Sequence, residues 1–165
     1  MDMRIAAGGA ADDEPRERVL LVSSSGGHLL QLHRLAPWWR KHDRLWVTFD
    51  TPDATSLLAD EELVPAHHPT TRNLRNLARN AVLACRVLAT FRPTIVVSTG
   101  AAVAFPFFVL ARLLGIRTVY VEVYDRIDLP TLTGRLCYPF SSLFLIQWDD
   151  QRRFYPRSEL IGRLL

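Results

Sequence analysis

Short β-branched runs alternate with longer helical stretches along this chain. Arg18 to Ser24, RVLLVSS, is apolar at successive positions and predicts a buried strand, followed by a helix from about His28 to Lys41. Arg44 to Phe49 predicts a second strand and Pro52 to Ala59 a short helix. Glu62 to His67 reads as a weaker third strand. Thr71 to Phe91 has helical periodicity and is stopped by Pro93. Thr94 to Thr99 predicts a fourth strand, Ala102 to Leu114 a very apolar helix ended by Gly115, and Arg117 to Val123 a fifth strand. A short helix over Thr131 to Pro139, a strand over Ser142 to Trp148 and a closing segment complete the pattern. Continuous apolar strands separated by helices mean a parallel sheet covered on both faces. The expectation is one α/β domain over residues 18–165, a doubly wound Rossmann-like sheet.

Composition adds limits. The chain has 165 residues, 48% of them hydrophobic, enough for one domain with a full core. The net charge of +3 is too small to argue for nucleic acid. Nearly all the positive charge is arginine, Lys41 being the sole lysine, which favours forked contacts to phosphate. Cys85 and Cys137 lie far apart without neighbouring histidines, so no metal-ligand spacing is present and no cofactor is expected. Met1 to Glu17 lacks an apolar run and reads as a disordered leader, not a signal peptide or membrane anchor. Any membrane contact would then be peripheral and on the cytoplasmic face.

In doubly wound sheets ligands bind beyond the carboxyl ends of the strands. The first strand runs into Ser23, Ser24, Ser25, Gly26, Gly27 and His28 before a helix. Small residues let the backbone approach a ligand, and hydroxyls and helix-start N–H groups suit a phosphate. The plain alternative is a tight turn that needs glycine for its backbone. The spacing matches neither a Walker loop nor a dinucleotide fingerprint. Asp50, placed where a ribose-binding acid would sit, keeps a small dinucleotide-binding protein as a second reading. His28 either acts as a general base or caps the turn. The fourth strand ends in Thr99, Gly100 and Ala101, again before a helix, so two such turns would flank one crevice. Glu122, inside VYVEVYD, is costly in an apolar strand end unless it is paired or used. Arg72, Arg75, Arg79 and Arg86 fall within one arc at helical pitch, with no acid from Thr70 to Arg92. That face is either solvated or drawn to anionic headgroups. Leu74, Leu77, Ala78, Ala81, Ala84, Cys85 and Leu88 are expected to face the core.

Four ordered blocks then resemble a known family: SSSGGHLLQL (Ser23 to Leu32), STGAAVAFPFFVLARLLG (Ser98 to Gly115), VYVE (Val119 to Glu122) and LTGRLCYPFSSLFLIQWDDQRRFYP (Leu132 to Pro156). They resemble the acceptor-side subunit of the asparagine-linked-glycosylation GlcNAc transferase, and more closely its bacterial capsule and exopolysaccharide counterparts. The chain is also similar to the N-terminal half of the peptidoglycan GlcNAc transferase. The resemblance implies the N-terminal domain of a GT-B glycosyltransferase, without metal. A separate subunit would hold the UDP-sugar, and the chain would be inactive without that partner, since a complete GT-B enzyme needs two such domains. The acceptor would be a polyprenyl-pyrophosphate-linked saccharide. Ser24, Ser25, Gly26 and Gly27 with Thr99, Gly100 and Ala101 would cradle its pyrophosphate. His28 or Glu122 would take the proton of the attacking hydroxyl, and Arg72, Arg75, Arg79 and Arg86 would face an anionic membrane surface. A non-catalytic membrane scaffold for a complete transferase is the remaining alternative.

Overall fold

The computed structural model describes residues 15–164. A parallel sheet runs through the molecule in the order β3-β2-β1-β4-β5-β6-β7. Its strands are β1 (Arg18–Val22), β2 (Asp43–Phe49), β3 (Leu63–Ala66), β4 (Ile95–Ser98), β5 (Arg117–Val121), β6 (Leu143–Ile146) and the two-residue β7 (Glu159–Leu160). The order reverses between β1 and β4, where Val19 pairs with Ile95 and Val22 with Ser98. This is the switch point of a doubly wound sheet, beyond whose strand ends ligands of such sheets bind.

Both faces of β1 are apolar because both are covered. Leu20 and Val22 pack with Val96, Tyr120 and Phe144 under α4 (Leu74–Phe91), α5 (Ala104–Leu113) and α6 (Leu132–Cys137). Val19 and Leu21 pack with Trp46, Val97 and Val121 under α1 (Gly27–His33), α2 (Ala36–Trp39) and α3 (Pro52–Leu57). Ile161 and Leu164 of the closing segment lie against this second cluster.

Three elements depart from expectation. The helix after β1 is broken at Arg34 and Leu35, and Pro37 opens a second short helix in place of one long one. A proline suits a first helical turn and not an interior. The long helix starts at Leu74, not Thr71, because the Asn73 side chain caps it by accepting from the Asn76 N–H at 3.0 Å. Residues Tyr138–Phe140 leave the α-helical path for a 3₁₀ turn, again at a proline. Of the expected leader, residues 1–14 lie outside the described residues. Glu17 is held in place by hydrogen bonds to the Thr94 hydroxyl and the Arg117 guanidinium.

Candidate functional site: the cleft between two glycine turns

The β1–α1 turn and the β4–α5 turn meet through two side chains, His28 and Thr99. His28 places Nδ1 2.8 Å from the Thr99 carbonyl oxygen, and the Thr99 hydroxyl donates to the His28 carbonyl oxygen at 2.6 Å. A carbonyl only accepts, so Nδ1 carries the proton in this pair. In the neutral ring Nε2 is then the basic nitrogen. The imidazole is half-buried, and its orientation is fixed by residues 71 positions away in sequence. This is the arrangement a general base requires: one nitrogen held, the other available.

The backbone of both turns is unusual. Gly26 has φ 72° and ψ −137°, a region closed to side chains. Gly100 has φ 111°, and Ala101 takes φ 66° although it is not glycine. Space also selects Gly100. A Cβ there would sit 2.6 Å from Tyr120 Oη and 3.2 Å from His28 Cε1. Ser98 Oγ accepts the Gly100 N–H at 2.9 Å, which sets this turn. Ser24 and Ser25 are half-exposed at the mouth, and Gly26 and Gly27 are exposed. The structure therefore brings the two expected groups, Ser24–Gly27 with His28 and Thr99–Ala101, to one cleft.

Asp53, absent from the sequence reading, joins this cleft. Its carboxylate accepts the Gly26 N–H at 2.9 Å from the start of α3. The Thr51 hydroxyl and the Gly26 N–H hold its carboxyl below the usual range. A contact over 27 residues leaves no local signal. Asp50, the acid behind the dinucleotide reading, is exposed at the end of β2.

Glu122 is somewhere else. It is fully buried. Its Oε1 accepts from the Val123 N–H at 3.0 Å and from Thr131 Oγ1 at 2.9 Å, and Tyr155 Oη donates to Oε2. Desolvation, with the Glu122 charge close by, pushes the Tyr155 phenol well up and keeps it a donor. The start of α6 rests on this carboxylate at Gly134, where a Cβ would run into Glu122 Oε2, the Tyr155 hydroxyl and Thr131 Oγ1. The carboxylate is thus paired rather than free. It fastens α6 and the 3₁₀ segment Asp149–Arg153 with its tail to the end of β5. Around it, Gln147 Nε2 donates to Gln31 Oε1 at 2.6 Å and Gln151 Nε2 to the Val123 carbonyl at 3.0 Å, all three glutamines being buried. These amides fix the β5–α6 loop beside the cleft, and the sequence reading missed them.

Residues 65–164 match the family described as "Oligosaccharide biosynthesis protein Alg14 like". The chain belongs to this family. The matched span takes in Thr99–Ala101 and Glu122 and begins after the β1–α1 turn. The UDP-N-acetylglucosamine transferase subunit ALG14 of Mus musculus is 26% identical over 185 residues, covering 92% of this chain and 85% of the mouse protein. The Schizosaccharomyces pombe subunit of that name is 42% identical over 55 residues, 32% of this chain and 26% of its own. Among solved structures, Acinetobacter baumannii MurG superposes with a TM-score of 0.73 at 18% identity over 90% of this chain. This Alg14-like chain spans 45% of the MurG chain. A Neisseria meningitidis UDP-GlcNAc 2-epimerase gives 0.68 at 15% identity over 88% of this chain and 45% of its own. At such identities the likeness is one of fold, and it confirms the expected Rossmann-like domain of GT-B type.

The arginine arc of the Alg14-like chain is present with two corrections. Arg75, Arg79 and Arg86 are exposed on α4, but Arg72 precedes the helix in a left-handed turn at φ 52°. Leu74, Ala78 and Cys85 do not face the core. They are exposed, Leu74 at 80%, and with Val82 they run beside the arginines. Ala84 and Leu88 face the core as expected and are joined there by Val87, with buried Asn76 and Asn80 bonded to the carbonyls of Pro69 and His67 at 2.9 Å each. Asparagines facing inward broke the periodicity on which the sequence reading relied. Leu132 and Leu136 of α6 are exposed as well. Among the described residues no helix is long and apolar enough to cross a membrane.

Proposed function

We propose that this chain is the acceptor-binding subunit of a glycosyltransferase that moves a sugar from a UDP-sugar to a polyprenyl-pyrophosphate-linked saccharide. A separate subunit holds the UDP-sugar, and neither is active alone. The relatives' names as transferase subunits support a partner. The observation that carries the reading is the His28–Thr99 pair, which fuses two glycine turns into one cleft and leaves Nε2 as a base. The pyrophosphate-linked acceptor lies between the turns, among Ser24, Ser25, Gly26, Gly27, Thr99, Gly100 and Ala101. Nε2 takes the proton of the acceptor hydroxyl as its oxygen bonds to the donor sugar and UDP departs. Glu122, buried and paired, positions the neighbouring loop. The exposed face of α4, with its arginines beside Leu74, Ala78 and Val82, rests peripherally on anionic lipid at the cytoplasmic leaflet.

The test is purification of the tagged chain from its native membranes in mild detergent, then an assay of sugar transfer from UDP-sugar to the lipid acceptor. A small UDP-sugar-binding partner should co-purify. His28→Ala should lower transfer by about 10²–10⁴-fold with the complex intact. Recovery of the chain alone, or a wild-type rate from the variant, would refute the reading.

A further inference from the structure

Both turns of the cleft hold a glycine at positive φ, but they differ in charge. At the β4–α5 turn the Gly100 N–H is satisfied by a neutral group, Ser98 Oγ at 2.9 Å. At the β1–α1 turn the Gly26 N–H is taken by a carboxylate, Asp53 Oδ2 at 2.9 Å. A phosphate oxygen arriving at Gly26 finds its donor filled and a like charge in place. A sugar hydroxyl finds the reverse, because a carboxylate accepts what a hydroxyl donates.

Buried hydroxyls lie behind both turns. Ser23 and Thr48 stand side by side, one position beyond the last register pair Val22↔Val47. Both are 0% exposed, and neither hydroxyl has a hydrogen-bond partner among the described residues. Tyr120 Oη, beside Gly100, is likewise buried without a partner among the described residues, so these hydroxyls do not set the two turns apart; the Asp53 carboxylate does. His28, two positions past Gly26, provides the base that a hydroxyl at this side would meet.

We propose that the cleft is polarised, with Asp53 as a specificity-determining residue: its side accepts a hydroxyl of the acceptor sugar and turns the diphosphate away. This rests on the acceptor-binding reading above. It divides the cleft that the sequence assigned to phosphate throughout, since Ser24–Gly27 then serve the sugar.

Calorimetric titration of the complex, the full chain with its co-purified subunit, tests this with two probes. One is a short-chain prenyl pyrophosphate, and the other is the same molecule carrying N-acetylglucosamine. Wild type is expected to bind the sugar-bearing probe about tenfold more tightly, one charge-assisted hydrogen bond's worth. Asp53→Asn keeps the size and an oxygen for the Gly26 N–H but removes the charge. It should cut the preference to about twofold, weakening the sugar-bearing probe and tightening the bare one. Asp53→Ala should abolish the preference. An unchanged preference in both variants overturns the proposal. Equal loss of both probes also overturns it, being the mark of a turn that has merely loosened. Failure of wild type to bind either probe would instead sink the acceptor-binding reading itself.

Discussion

Gly100→Ala puts the geometry of the cleft to a quantitative test. The new Cβ would lie 2.6 Å from Tyr120 Oη. Tyr120 cannot swing aside. It is fully buried, stacked on Phe144 at 4.9 Å between centroids and met edge-on by Phe108 at 5.7 Å. The overlap therefore costs about 1–3 kcal/mol as overpacking. Holding a side chain at φ 111° adds a further ~1–3 kcal/mol of backbone strain. The sum, about 2–6 kcal/mol, corresponds to a melting temperature lower by roughly 5–20 °C for a domain of this size. Gly26→Ala is the control. Its φ of 72° carries the same backbone strain, but nothing lies within 4 Å of its Cβ position, so ~1–3 kcal/mol is expected. Urea unfolding of both variants measures the difference. A second readout is the transfer rate per folded molecule. Gly100→Ala also presses on His28 Cε1 at 3.2 Å, and a base displaced by an ångström loses about 10²-fold. A Gly100→Ala variant as stable as Gly26→Ala would refute the account of why glycine stands at this turn.

Three further outcomes are expected. Glu122→Gln puts an amide where carboxylate oxygens receive Thr131, Tyr155 and Val123. It should destabilise by about 1.5–3 kcal/mol while the transfer rate per folded molecule stays within about threefold. A fall of 10² or more would restore Glu122 as the base. Replacing Arg75, Arg79 and Arg86 by alanine should weaken binding to anionic vesicles by about 100-fold, at ~1 kcal/mol per residue. Unchanged sedimentation with such vesicles would clear α4 of that role. Glu61 gives a pH signature. Burial would raise its carboxyl, but the Arg44 fork, at 2.6 and 2.8 Å, outweighs that and lowers it below 4.5. Its stabilisation is thus present above 4.5 and lost as pH falls through the folded value. The gap in urea midpoint between wild type and Glu61→Gln should be full at about pH 7 and shrink below about pH 4. A gap that widened on acidification would contradict this pairing.

The order of elements was legible because parallel, doubly covered strands such as RVLLV carry an apolar run that turn residues bound on each side. The two turns were legible because they follow strands. What escaped the sequence depends on distant partners. Nothing near Asp53 announces that it meets Gly26, and nothing near Glu122 announces Tyr155, 33 residues on. The α4 face was misjudged for a related reason. Asn76 and Asn80 look polar in sequence but are satisfied inward by loop carbonyls, which rotates the exposed face onto Leu74 and Val82. Helix boundaries shifted where a cap or a proline overruled periodicity, at Asn73 and Pro37.

The pairing of β1 with β4 has a consequence for the newly made chain. Val19 and Ile95 are neighbours in the sheet although 76 positions separate them. As the chain is synthesised, β1 can join β2 and β3 early, but its other edge, RVLLV, stays open until β4 has left the ribosome. An open edge of that composition is a template for pairing with other chains. The same event that buries it brings Thr99 to His28. The sticky half-sheet and the working cleft therefore exclude each other: a molecule able to hold its ligand has already closed the seam through which it could aggregate.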